Sequence, residues 1–130
     1  VVETIEGDAV NAEVTLRIGE GVTITAVITR ASVESLGLAV GLPAIALIKS
    51  SFVILAPGET PLRTSARNGL VGTVISRTDG GVSSEVVLEL SEGKTLAATL
   101  TRDSADALDL KVGDRAQALI KAPHVILAVE

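Results

Sequence analysis

From Val10 to Ile18 apolar and polar side chains alternate, with Val10, Ala12, Val14, Leu16 and Ile18 set against Asn11, Glu13, Thr15 and Arg17. A period of two puts one set on each face of an extended chain and predicts a half-buried strand. Gly19-Glu20-Gly21 predicts a hairpin turn into a second strand, Val22 to Thr29. The period then changes. Thr29 is a candidate N-cap, Val33 and Leu36 fall on one helical face, and Gly37 is a stop signal, so a short helix is expected. Gly41-Leu42-Pro43 turns the chain into a strand over 44–48. Lys49-Ser50-Ser51 interrupts the apolar run, and Phe52 to Ala56 reads as a last strand.

The pattern then recurs. Adding 72 to a residue number in the first half gives a residue of the same kind, without a gap, and roughly 25 of 58 aligned pairs are identical. Glu13-Val14 matches Glu85-Val86, Thr29-Arg30-Ala31-Ser32 matches Thr101-Arg102-Asp103-Ser104, and Ala46-Leu47-Ile48-Lys49 matches Ala118-Leu119-Ile120-Lys121. Thr101 becomes the second cap, Ala105 and Leu108 its inward residues, and Gly113-Asp114 the turn. Such a period is too long for a solenoid and indicates a duplicated small domain. The division expected is a first repeat over 1–56, a linker over 57–63 marked by Pro57, Gly58 and Pro61, and a second repeat over 64–130. The second repeat opens with Ser65-Ala66-Arg67-Asn68. The first has no counterpart of that motif and starts one strand late. About five short strands and one short helix per repeat predict an all-β chain of two tandem OB-like small β-barrels. A barrel this small has a marginal core, which favours association with its duplicate and with further copies.

Composition narrows the function. Hydrophobic residues make up 47% and charged residues 21%, which suits a packed core rather than disorder. The apolar content is almost all Val, Ile, Leu and Ala, and Phe52 is the one aromatic residue. A formal charge of −5 with no stacking platform argues against single-stranded nucleic acid as a partner. No apolar run reaches the length of a membrane-spanning helix, and no signal peptide is visible at the start. Cysteine is absent, which removes disulfides and thiolate metal sites. Methionine is absent even at position 1, so the chain reads as a fragment or processed form of a longer reading frame.

Three groups of residues carry candidate chemistry. Ser65, Arg67 and Asn68 gather a hydroxyl, a guanidinium and a carboxamide in four residues, all able to donate to an oxyanion; a polar linker ending in a turn is the plainer reading. Thr29 with Ser32, and Thr101 with Ser104, place two hydroxyls at a helix start, where N–H groups and the helix dipole favour anions; ordinary capping explains the same residues. Lys49-Ser50 and Lys121-Ala122 directly follow an apolar Ala-Leu-Ile strand, where a lysine either faces a site or snorkels to water. The duplication keeps Thr29, Ser32 and Lys49 as Thr101, Ser104 and Lys121. Neighbours expected to be exposed drift: Ala31 becomes Asp103, Ala39 becomes Lys111 and Ile45 becomes Gln117. That contrast favours a shared anion site. No catalytic constellation is found. His124 replaces Phe52 and reads as a packing or surface position; no acidic or histidine cluster has metal-ligand spacing; Asp103, Asp106 and Asp109 read as one solvated helix face.

The motif and the repeat together resemble the molbindin family, built of Mop (TOBE-type) domains, and the arrangement is similar to a tandem di-Mop chain. The carriers are Ser65-Ala66-Arg67-Asn68 with Gly72-Thr73-Val74, Ala9 to Val14, Thr29 to Leu38, and Ala46 to Ser50. The resemblance implies barrels that exchange strands and form a homo-oligomer, a trimer when free-standing and a dimer within a regulator. It implies molybdate or tungstate as the bound ligand, no reaction catalysed, a cytoplasmic location, and neither nucleic acid nor membrane as a direct partner. By resemblance the ligands are Ser65, Arg67, Lys121 and the backbone at Ala122, faced by Thr29 and Ser32 or Thr101 and Ser104. Lys49 and Ser50 match the lysine site of the first repeat, which lacks its own Ser-Ala-Arg-Asn motif. The function expected is storage and homeostasis of molybdenum. The alternatives are the sensing domain of a molybdate-responsive transcription regulator, the accessory domain of an oxyanion transporter's ATPase, and a ligand-free scaffold.

Overall fold

The computed structural model describes residues Val1–Glu130. There are ten strands and two short helices, in the expected order except for a strand over Val2–Gly7, where the first repeat was expected to start one strand late. The first repeat gives β1 (Val2–Gly7), β2 (Asn11–Gly19), β3 (Val22–Thr29), α1 (Arg30–Leu36), β4 (Ile45–Ile48), a 3-10 turn (Ser50–Phe52) and β5 (Ile54–Pro57). The second gives β6 (Asn68–Asp79), β7 (Ser83–Ser91), β8 (Lys94–Thr101), α2 (Arg102–Leu108), β9 (Arg115–Ile120), a 3-10 turn (Ala122–His124) and β10 (Val125–Ala128). Both helices end in a left-handed residue. In α1 it is Gly37, which adopts φ 64° without a Cβ penalty; in α2 it is Asp109 at φ 50°.

The chain divides into two compact units, and these do not coincide with the two sequence repeats. Unit 1 comprises Val1–Ile48 with Lys121–Glu130, and unit 2 comprises Lys49–Ile120. Strand pairing is the reason. β5, from the first repeat, is hydrogen-bonded to β9, with Ile54 opposite Leu119 and Pro57 opposite Ala116. β10, from the second repeat, is hydrogen-bonded to β4, with Val125 opposite Ile48. Each repeat thus closes the sheet of the other unit with its last strand.

Unit 2 is one continuous antiparallel sheet in the order β5-β9-β6-β7-β8. β6 is long enough to serve two neighbours. Asn68–Thr73 pairs with β9, and Thr73–Asp79 pairs with β7, with an irregularity between Val74 and Ser76. A bulge of this kind bends a strand and raises its twist, which curls the sheet until β5 meets β8. Gly72 lies two residues before this irregularity; a Cβ there would lie 2.6 Å from the Glu89 carbonyl oxygen. The core is filled by Val74, Val86, Leu88, Ala98, Ala105, Ala116, Ala118 and Ile120.

Unit 1 holds a three-stranded sheet, β1-β2-β3, and a two-stranded one, β4 with β10. Val2, Val14, Leu16, Ile24, Ala26, Val125 and Leu127 are buried there. Thr15 and Thr25 face each other across β2 and β3 with hydroxyls 3.0 Å apart. Asp8 caps the turn before β2, accepting from the N–H groups of Val10 (2.8 Å) and Asn11 (2.9 Å). Those bonds, that of Asn11 first, hold its carboxyl below the ordinary aspartate value.

Two sequence expectations change here. Gln117, read as an exposed drifting position, is buried at 2% exposure. The aspartates of α2 are not one solvated face: Asp109 is the left-handed cap, and Asp106 is paired with Arg77 and Arg102.

Candidate oxyanion-binding site

The helix starts are built alike in both units. Thr29 Oγ1 accepts from the Ser32 N–H at 3.1 Å, and the two hydroxyl oxygens are 2.8 Å apart. Thr101 and Ser104 repeat this at 3.1 and 2.8 Å. Each threonine is therefore a working N-cap, as capping chemistry predicts. One proton serves the contact between each hydroxyl pair, so the second hydroxyl proton of each pair is available to a ligand.

The lysines occupy equivalent places. Lys49 and Lys121 are the residues before the two 3-10 turns. The first N–H groups of such a turn have no acceptor inside it. The two turns differ chemically. Ser50-Ser51 offers two N–H groups and two hydroxyls, whereas Ala122-Pro123 offers one N–H and no hydroxyl. Ser50 Oγ lies 2.8 Å from Thr99 Oγ1 on β8, two residues before the cap of α2. Lys49 Nζ sits 5.4 Å from the centre of the Phe52 ring, in cation–π range.

Ser65 and Arg67 are exposed on the segment that leads into β6. The third member of the motif has another task. Asn68 is 4% exposed, and its carboxamide donates to the Ile120 carbonyl at 3.2 Å while its backbone pairs with the same residue. Asn68 fixes the register of β6 on β9, and its carboxamide is committed to the fold. β5 and β6 flank β9 and both run antiparallel to it, so the segments that precede them reach the same end of β9. Lys49-Ser50 and Ser65-Arg67 are thereby brought to one end of one sheet, a relation that their separation in sequence conceals.

The ten residues singled out by sequence fall into two sets. Unit 2 carries Lys49, Ser50, Ser65, Arg67, Thr101 and Ser104; unit 1 carries Thr29, Ser32, Lys121 and Ala122. All are exposed or half-buried except Ala122. An open concavity of about 420 Å³ in unit 2 has Ser51, Thr99 and Ser104 on its wall, but the rest of its lining is apolar and it includes no cation. It does not by itself compensate a dianion.

α2 is held by a charged cluster. Arg77 donates to the Ala105 and Leu110 carbonyls at 3.2 and 3.0 Å, to Asp79 at 3.0 Å and to Asp106 at 2.5 Å. Ser84, then Arg77, hold the Asp79 carboxyl below its ordinary value; Arg77 does the same for Asp106. The guanidinium is held above its own by Asp79 and Asp106. The cluster ties the C-terminal end of α2 to β6 and so orients the helix that presents Thr101 and Ser104.

Sequence reasoning missed Thr99, Arg77 and Gln117. Gln117 carried a usable signal, a polar residue where the repeat mate is Ile45 in an otherwise matching apolar strand.

Residues 1–55 and 64–127 match the model of the TOBE domain. The chain belongs to the TOBE-domain family. Among curated relatives, this TOBE chain is 51% identical over 126 residues to the molybdenum-pterin-binding protein MopB of Rhodobacter capsulatus, covering 97% of this chain and 47% of that protein. It is 37% identical over 120 residues to the transcriptional regulator ModE of Yersinia pestis, covering 92% and 45%. The chain spans about half the length of these relatives. Among solved structures it is similar to the cytoplasmic molybdate-binding protein ModG with molybdate bound, at 40% identity and a TM-score of 0.93, covering 99% of this chain and 92% of ModG. That likeness identifies the TOBE chain as a tandem Mop protein with OB-like folds. No helix in it is long and apolar enough to cross a membrane.

Proposed function

We propose that this chain binds molybdate or tungstate as an intact oxyanion, in the service of molybdenum storage and homeostasis, and catalyses no reaction. The observation that carries the reading is the likeness along nearly the whole chain to a protein solved with molybdate bound. The chemistry supports it. A tetrahedral dianion needs many directed donors and some positive charge, and neither requires metal ligands. The donor set we assign is Ser65, Arg67, Lys121 and the N–H beside Ala122, with the hydroxyls of Thr29 and Ser32 or Thr101 and Ser104. Lys49 and Ser50 are the corresponding group for the first repeat. Selectivity over sulfate follows from size, because molybdate is the larger anion and a rigid donor frame fixes the distance at which it is met. The chain acts in the cytoplasm as a homo-oligomer, a trimer when free-standing.

The likeness to a transcriptional regulator favours a second reading, in which the same anion site serves as the sensing domain of a longer, dimeric protein.

Isothermal titration of the 130-residue chain with molybdate, tungstate and sulfate tests the first reading. Tight binding of the first two with negligible sulfate heat is expected. Equal heats for sulfate and molybdate, or none for any anion, overturn it. Sedimentation of the liganded protein reads the oligomer; a monomer that still binds contradicts the shared-site arrangement.

A further inference from the structure

The segment between β5 and β6 joins two parallel strands on either side of β9, so it must travel the length of β9 across its outer face. Its contacts follow that path in order. The Gly58 N–H donates to the Arg115 carbonyl at 3.0 Å, and the Arg115 guanidinium meets Glu59 at 3.0 Å. Next, Gln117 grips the backbone with both ends of its carboxamide: Nε2 donates to the Thr60 carbonyl at 2.9 Å, and Oε1 accepts from the Leu62 N–H at 3.1 Å. The path ends at Ser65-Arg67 and then Asn68, locked opposite Ile120. Gln117 is 2% exposed, while Arg115 and Glu59 are exposed. The Gln117 grip is therefore the more durable one, since its carboxamide is buried and its two bonds are partly shielded from water, whereas the ion pair is at the surface. The repeat mate of Gln117 is Ile45, which is 41% exposed.

We infer that Gln117 is a positioning residue for the oxyanion site: its carboxamide holds residues 60–62 as a strap and so fixes the place of Ser65 and Arg67, without touching the anion itself. The inference rests on the molybdate reading above. A strap released from Gln117 samples many conformations, and affinity falls by the fraction of time the donors are out of place. Loss of two part-buried hydrogen bonds corresponds to a drop of roughly tenfold in affinity.

The test pairs two variants of the full chain. Gln117→Met keeps the length of the side chain and removes both bonds. Leu62→Pro removes the N–H from the strap side and leaves the core of unit 2 untouched. Molybdate affinity is measured by titration, and amide exchange is followed along residues 59–67 and, as a control, at Val86 and Leu88. Both variants are expected to bind molybdate roughly tenfold more weakly, to exchange faster along the strap, and to keep the slow core amides. Wild-type affinity in both variants overturns the positioning role while leaving the molybdate reading in place. So does a Leu62 amide in the wild-type protein that exchanges as fast as a free loop. A wild-type chain that binds no molybdate overturns the functional reading and the positioning role with it.

Discussion

β4 and β9 are copies of one strand, Ala44-Ile45-Ala46-Leu47-Ile48 and Ala116-Gln117-Ala118-Leu119-Ile120. They live in different surroundings. β9 has β5 on one edge and β6 on the other, and its outer face lies under the strap. β4 has only β10, and Ile45 and Leu47 are 41% and 50% exposed. Val2 of β1 is the repeat mate of Val74, which lies midway along β6, so β1 matches only the half of β6 that pairs with β7. Unit 2 also holds polar contacts that unit 1 lacks. Ser50 with Thr99 corresponds to Ala122 with Val27, and the Arg77 cluster corresponds to Ile5, Gly7 and Glu34. Duplicated sequence has kept the cap pairs and the lysines in both copies, Thr29, Ser32 and Lys49 as Thr101, Ser104 and Lys121, and has let the supports around them diverge.

The sharpest way to break that comparison is to truncate its two central isoleucines. Ile120 is fully buried under paired strands, and Ile48 is half-buried. Ile120→Ala is expected to cost about 2–5 kcal/mol, and Ile48→Ala clearly less. Denaturant titration measures both; equal losses would mean that β4 is as well covered as β9. Next in size is the ligand assignment. Arg67→Ala is expected to weaken molybdate binding roughly ten- to hundredfold with the thermal midpoint nearly unchanged, as for a charged hydrogen-bond donor lost from outside the core. Unchanged affinity by titration removes Arg67 from the site. The two lysines then sharpen the contrast. Lys121→Ala is expected to reduce molybdate affinity more than Lys49→Ala, because the proposed donor set groups Ser65 and Arg67 with Lys121. Equal losses would make the two lysine sites equivalent despite that grouping.

Smaller and dependent on pH is the Arg77 cluster. Arg77→Ala is expected to lower the thermal midpoint. Asp79 and Asp106 have folded values below the ordinary 3.8, so the unfolded chain takes up protons first as pH falls. The stability that they contribute is complete above the ordinary value and drains away as pH drops through the depressed folded values. The gap between wild type and Arg77→Ala should therefore be constant from pH 7 to about 5, by the usual position of carboxylate titration, and shrink below pH 4. Melting curves across that range check it, and a gap that widens in acid would contradict the assignment. Smallest is Ser50→Ala, expected to cost about 1 kcal/mol by leaving Thr99 with one partner fewer. The same change at the other copy is already native, as Ala122.

Local chemistry was legible where it acts over a few residues. Thr29 and Thr101 cap the helices they were expected to cap, Gly37 ends α1, and β2 to β5 begin and end within two residues of their predicted limits, whereas β1 falls where no strand was expected. The donor motif was legible as a group, but the separate duties of its members were not. Nothing in Ser65-Ala66-Arg67-Asn68 distinguishes the carboxamide that locks a strand from the guanidinium that stays outside, because that depends on Ile120, far along the chain. The segment from Gly58 to Arg63 reads as a linker for the same reason: its prolines are local, and its partners Arg115 and Gln117 are not.

Sequence alone determined the duplication and most of the elements, since periodicity, capping and residue type act within a turn or a strand. Only the tertiary structure decided which repeat completes which sheet, that the segments carrying Lys49-Ser50 and Ser65-Arg67 lead into strands that start at one end of β9, and that Gln117 is buried rather than a surface change. Those outcomes depend on hydrogen-bond partners dozens of residues apart, and strand pairing between such partners is set by the whole sheet rather than by either strand.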